Sequence, residues 1–218
     1  MGIKTKQRVQ VAIMFALIVA AFVTYEIFNK ASYSYPPFVM RGWADEKLHI
    51  ISPFVIPYIS FHVLAMVVVP VLSLKFGNYY QFLTNAWAIV VGQLMLDVAY
   101  FFFQTEVPRP TNFEVHNVFD WLLKNLVWGN DRPLNGFPSN HVTWSVISII
   151  ALWRLRHRIP KTAYGLIAWF GLIIPATVLL AQHFLIDIYG GVFVGFAVYW
   201  ATMFVVERPL LVSRRNQE

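Results

Sequence analysis

Long apolar runs separated by short polar stretches make up most of the chain: Val9 to Phe28, Ile50 to Leu74, Phe82 to Phe103, His141 to Trp153, Tyr164 to Ala181 and Phe184 to Val206. Most come close to the roughly 20 residues that a helix needs to cross about 30 Å of hydrocarbon. The fourth approaches that length only by extending to Pro138 and Leu155 (residues 138–155), as a tilted or partly buried helix. The pattern predicts an all-α protein, a six-transmembrane helical bundle forming one integral membrane domain over residues 1–218. Between spans three and four, Phe119, Leu122, Leu123, Leu126 and Val127 recur at helical spacing. They predict a short interfacial helix over Val118 to Val127 in an outer loop, with Trp121 and Trp128 as anchors. The loop Lys30 to His49, with Tyr33, Tyr35, Phe38 and Trp43, suits chain lying at the headgroup level.

Composition agrees with this pattern: 58% of residues are hydrophobic and 13% charged. The first run has a basic start but no small-residue cleavage pattern around Tyr25-Glu26-Ile27-Phe28, which predicts an uncleaved anchor. Lys and Arg set the orientation. With six spans, one side holds Lys4, Lys6, Arg8, Lys75, Arg154, Arg156, Arg158, Lys161, Arg208, Arg214 and Arg215. The other holds Lys30, Arg41, Lys47, Arg109, Lys124 and Arg132. The richer side is expected to be cytoplasmic and to carry both termini. The net charge of +6 sits at span boundaries, where anionic lipid headgroups account for it and nucleic acid does not. With no cysteine, disulfides and thiolate catalysis are excluded.

Ionisable groups are costly in a bilayer, so those at the ends of apolar helices are candidates for chemistry. Two motifs stand out, Phe137-Pro138-Ser139-Asn140-His141 and His183 four residues before Asp187, both on the outer face in the expected orientation. Four residues apart on a helix, His183 and Asp187 share a face, so the carboxylate can hold one ring nitrogen and leave the other free to attack phosphorus. Pro138 and Ser139 read as the opening of the fourth helix, whose amides and dipole favour a phosphate group. His141, one turn inside, would donate a proton to a leaving oxygen. Arg109 and Arg132, each followed by proline, compete to supply the fixed positive charge. Ser139 also reads as a simple helix cap and Asp187 as a cap for the sixth helix. His62 and Asp97, within spans two and three, read as structural polar residues. The Gly-x-Ser-x-Gly elbow of serine hydrolases and the His-Glu-x-x-His pattern of zinc proteases are both absent.

The set Arg109-Pro110, Pro138-Ser139-Asn140-His141, His183 and Asp187, on six expected spans, resembles the type 2 phosphatidic acid phosphatase superfamily. That resemblance implies a lipid phosphatase or phosphotransferase needing no metal or other cofactor. His183 would form the phosphohistidine, Asp187 would orient it, and His141 would protonate the leaving group. Arg109, Ser139, Asn140 and Arg132 would form the substrate-binding set, and the partners would be a lipid phosphate or phospholipid and the bilayer itself. Departures from the family pattern fall on cations: Phe102 stands where the first motif has lysine, and Ala176 and Thr177 where the third has serine and arginine. Asn140 replaces the usual glycine. The run Ile51 to Ser60 and the stretch His183 to Gly191 resemble the branch of inositol phosphorylceramide and sphingomyelin synthases, which implies transfer to a second lipid as the alternative. A catalytically silent lipid-binding or transport protein is the remote one.

Overall fold

A computed structural model of the chain describes residues 5–31 and 35–207. Lys4, Tyr33, Arg208, Arg214 and Arg215 lie outside the described residues. Among those described, the protein is built from helices without sheets: α1 (Thr5–Lys30), α2 (Ser52–Gly77), α3 (Tyr79–Phe102), α4 (118–130), α5 (Asn140–Leu155), α6 (Pro160–Leu179) and α7 (Leu185–Val206). Five of them, α1, α2, α3, α6 and α7, are long and apolar enough to cross a membrane, and the chain is a multi-pass membrane protein.

The fourth expected span is the exception. Helix α5 has 16 residues, which at 1.5 Å each is about 24 Å, short of the hydrocarbon thickness. It needs no lipid-facing surface of its own, because it is the central helix. Trp144, Ile147 and Leu152 are buried, with the polar Thr143, Ser145 and Ser148, against Ile89 and Leu96 of α3, Phe170 of α6 and Val198 of α7. A helix hydrophobic and small-polar all round is what a protein-enclosed position selects.

Helices α5 and α7 approach closely because Gly191 and Gly195 remove side chains from the contact. A Cβ at Gly191 would lie 2.8 Å from both Ser139 O and Val142 Cβ, and one at Gly195 would lie 2.8 Å from Thr143 O and Val146 Cβ. Small residues four apart let two helix backbones touch in this way. Thr143 Oγ1 uses the proximity, lying 2.9 Å from Ser139 O and 3.2 Å from Gly191 O. The start of α5, which carries His141, and the start of α7, which His183 just precedes, are thereby held side by side. Gly191→Ala is expected to cost about 1–3 kcal/mol by overpacking against a backbone oxygen. A lowered thermal midpoint in detergent, together with loss of activity, would register it.

The opposite end of the bundle is closed by charge. Arg154 donates from both terminal nitrogens to Glu207 at 2.7 Å, and Thr84 Oγ1 donates to the same carboxylate at 2.7 Å. Arg158 donates to the last carbonyls of α2, Phe76 and Gly77, at 2.6 Å. Part of the basic loop thus has a capping task beyond any attraction to lipid.

Helix α4 forms where the apolar spacing places it. Asn117 Oδ1 accepts from the amides of Phe119 and Asp120, and Asp120 Oδ2 returns a bond to the Asn117 amide, so the helix start is reciprocally capped. Leu123 and Val127 pack on Val55 and Tyr58 of α2 and on Ala176 and Leu180, while Val118, Trp121 and Leu126 stay exposed. Trp128 departs from the expectation of an interfacial anchor. It is half-buried, donates to Leu180 O at 3.1 Å and sits beneath the Arg109 guanidinium.

Candidate active site

The site forms where the loop before α5 meets the turn between α6 and α7. Ser139 is the N-cap of α5, its Oγ accepting from Val142 N at 3.3 Å, so Pro138 lies just outside the helix rather than in its first turn. His141 is accordingly in the first turn itself. The preceding loop is built on Gln104 and Thr105. The Gln104 amide exchanges bonds with the backbone and side chain of Asn135 at 2.7 Å each, and Thr105 Oγ1 accepts from Phe137 N at 2.6 Å. Asn135 has φ 58°, a left-handed conformation that asparagine tolerates better than most residues. Tyr100 OH donates to Pro138 O at 2.8 Å from the side of α3.

On the other side, Ala181 at φ 51° turns the chain sharply after α6, a conformation that costs an alanine about 1–2 kcal/mol. Thr177 O receives the amides of both Gln182 and His183, at 3.0 and 3.1 Å, and so holds this turn. His183 therefore precedes α7 rather than lying on it, and the shared helical face expected of His183 and Asp187 is replaced by a capping turn. Asp187 Oδ2 accepts from Phe184 N at 2.8 Å, and Asp45 Oδ1 accepts from Leu185 N at 2.8 Å. Two carboxylates thus stand at the positive end of α7. Asp187 thus caps α7, as one expectation had it, and the same Oδ2 lies 3.4 Å from His183 Nδ1.

The closer partner of that nitrogen is a backbone carbonyl. His183 Nδ1 is 3.0 Å from Gly136 O. A carbonyl only accepts, so Nδ1 carries the proton and Nε2 keeps its lone pair. Gly136 has little space for a side chain: a Cβ there would be 3.0 Å from Thr105 Oγ1 and 3.3 Å from Asp187 Oδ2.

His141 faces His183 with ring centroids 6.0 Å apart. Its ring is stacked on Tyr58 at 4.3 Å and packed against Phe61 at 4.5 Å, and both ring nitrogens are buried without a hydrogen-bond partner. The Asn140 amide beside it is also buried and unpaired at both ends. Buried polar atoms without partners are rare, and here they fall on two successive residues of the motif, Asn140 and His141. His62, expected to be structural, packs edge-on to His141 at 5.4 Å and lines the same cavity.

Family comparison decides what this arrangement belongs to. The PAP2 superfamily matches residues 28–201, most of the chain and all of the site. The chain belongs to the PAP2 superfamily. Membership makes it a phosphatase-type enzyme acting on phosphate esters. No curated protein and no solved structure matches the chain.

Within this PAP2 frame the motif cations separate into one near the site and others that are elsewhere or replaced. Arg109 is near it, its Nη2 3.4 Å from the side chain of Gln182, the residue before His183: Nη1 donates to Trp128 O at 2.8 Å, the guanidinium lies 5.9 Å from the Trp128 ring centroid, and its buried Nε has no partner among the described residues. Burial lowers its pKa, an effect that Asp131 opposes by holding the charge on the guanidinium. Arg132 is not brought to the histidines. Its Nη1 donates to Lys30 O and Ala31 O at 3.1 Å, satisfying the end of α1, and it lines a separate cavity with Tyr35 and Glu106. Ala176 and Thr177 are fully buried, while Phe102 is 74% exposed at the end of α3. Asp97 accepts from Gln93 Nε2 at 2.8 Å, one turn earlier on the same helix, and is also within reach of the Thr24 hydroxyl of α1.

Asp131 was not among the sequence candidates. Tyr25 OH donates to its Oδ1 at 3.3 Å, and the Gln182 amide lies 3.2 Å from Oδ2 and 2.7 Å from Trp128 Nε1, which matches donors to acceptors with nitrogen toward the carboxylate. Burial pushes its pKa up to about 6, against the opposing pull of Arg109 and His183. Its only sequence signal was a place in the polar run Asn130-Asp131-Arg132-Pro133, where the arginine drew attention.

Proposed function

We propose that this protein is a membrane lipid phosphatase that cleaves a lipid phosphoester through a phosphohistidine on His183. The observation that carries the reading is the His183 Nδ1 contact to Gly136 O, which presents a bare Nε2 as nucleophile. Nε2 attacks phosphorus, and Asp187, 3.4 Å from Nδ1, stabilises the charge that develops on the ring. His141, across the gap, gives a proton to the departing alkoxide, then takes one from the water that attacks the phosphorus–nitrogen bond. Arg109 Nε and the Asn140 amide are unsatisfied donors for phosphoryl oxygens, with Ser139 at the α5 start beside them.

Transfer to a lipid alcohol in place of water is a second reading, favoured by the cavity next to His141. It holds about 360 Å³ between α1, α2 and α4 and has Ile59, Leu126 and Val127 in its walls. In both readings α5 is a protein-enclosed sixth crossing of a single membrane domain. Six crossings put both termini on one side, and the excess of Lys and Arg there supports a cytoplasmic location for it, with the histidines at the outer face.

The test is to quench turnover of radiolabelled lipid phosphate in alkali and look for label on the protein. Label that is stable to base, lost in acid and mapped to the His183 peptide is the expected result. Turnover with no labelled protein at any quench time would reject the covalent route. Running the same reaction with diacylglycerol or ceramide added separates water from lipid as acceptor.

A further inference from the structure

A phosphate site normally gathers cations, and this one gathers a carboxylate. The cavity beside His141 is lined by Tyr25, Tyr58, His62, Glu26 and Asp131, among others, with no Lys or Arg in its lining. Glu26 is neutralised by Lys30 at 2.7 Å. Asp131 has no ion-pair partner within bonding distance among the described residues; its neighbours are the Tyr25 hydroxyl and the Gln182 amide. Arg109 and His183 both lie within its electrostatic reach. Asp131 shares its cavity with His141 and touches Gln182, which directly precedes His183, while Asp187 lies 3.4 Å from the His183 ring, so two carboxylates and one arginine surround the histidine pair.

From this balance we infer that Asp131 selects for a monoanionic phosphodiester over a dianionic phosphomonoester, with the second substituent of the diester seated in the cavity of Tyr25, Tyr58 and Asp131. The inference rests on the phosphohistidine reading above and adds the substrate's charge class to it. A monoester near neutral pH brings two negative charges to a site where the carboxylates of Asp131 and Asp187 already outnumber Arg109. A diester brings one, and its extra substituent is a polar group that tyrosine hydroxyls and a carboxylate can bind. Within a partly buried site, one additional unit charge is worth on the order of tenfold or more in affinity. The step balances: His183 Nε2 forms a bond to phosphorus and one P–O ester bond breaks. That oxygen leaves as an alcohol with the proton from His141, and the other ester stays on the phosphohistidine. Water then releases a phosphomonoester, or an alcohol releases a new diester, returning the proton to His141.

Phosphatidate and its methyl ester, phosphatidylmethanol, share tails and differ in charge, so purified protein is assayed with both at pH 8, alongside His183→Ala. Wild type is expected to favour the methyl ester in kcat/KM, and Asp131→Asn to move the ratio toward phosphatidate by about tenfold or more. His183-dependent turnover that favours phosphatidate, or a ratio unchanged in Asp131→Asn, overturns the selection while leaving the phosphohistidine intact. Turnover surviving in His183→Ala, or turnover of neither ester, counts against the underlying reading instead. A second measurement needs no turnover: inorganic phosphate should raise the thermal midpoint of Asp131→Asn at concentrations about tenfold lower than for wild type, and equal dependence rejects the role. If Asp131→Asn does not fold, the wild-type ratio alone decides.

Discussion

His183→Ala is expected to lower turnover of the preferred lipid phosphoester by about 10⁴-fold or more. A nucleophile that forms a covalent intermediate has no substitute within the site, and removing such a residue elsewhere costs factors of this order. The fold should survive, because among the described residues the ring makes a single hydrogen bond, to Gly136 O, and the turn is held independently by Thr177 O and Asp187. Circular dichroism and thermal midpoint close to wild type, with radiolabel absent from the protein, would complete the expected result. His183→Ala retaining wild-type turnover would refute the mechanism. Gly136 cannot be probed as cleanly, since the group that orients the ring is a carbonyl present in every residue. A change there acts through the crowding against Thr105 and Asp187.

The second large effect belongs to His141. As general acid it should contribute about 10²–10⁴-fold to cleavage of an alkyl ester, whose leaving oxygen is a strong base. His141→Ala should therefore lose about that factor on a lipid phosphoester. With a p-nitrophenyl ester, whose leaving group departs without a proton, the loss in the labelling step should be far smaller. A structural defect would lower both substrates alike. This contrast matters because His141 is wedged between Tyr58 and Phe61, and replacing a packed ring also opens a cavity. His141→Gln, which keeps more of the volume, is the companion variant and should show the same substrate contrast.

Much of the site was legible because its key parts are local. Ser139 and His141 are neighbours in one helix start, and His183 and Asp187 fall within one turn of chain, so short-range geometry brings each pair together whatever the rest of the fold does. The details that escaped depend on partners far along the chain. Nothing near His183 in sequence pointed to Gly136, 47 residues away, as the carbonyl that sets the tautomer. Arg132 competed with Arg109 as the phosphate-binding cation, and only the fold shows which carbonyls each reaches: Trp128 O for Arg109, Lys30 O and Ala31 O at the end of α1 for Arg132. Asp131 was passed over because a lone acidic residue in a polar loop is usually solvated. Its half-buried place between Tyr25 and Gln182 exists only once α1, α4 and the α6–α7 turn have met.

The same division holds for the fold. Apolar run length and composition by themselves determined a helical multi-pass membrane protein, because each spanning helix satisfies its own backbone hydrogen bonds and needs only an apolar surface of sufficient length. The ordered motifs determined the family, since they preserve the site's chemistry in the primary structure. Tertiary structure alone decided that α5 is a short central helix enclosed by its neighbours, that Gly191 and Gly195 bring α7 against it, and that Asp131, not Arg132, lines the cavity beside His141. Those outcomes depend on close packing and on charges meeting across distant segments, and hydropathy along a single chain carries no record of either.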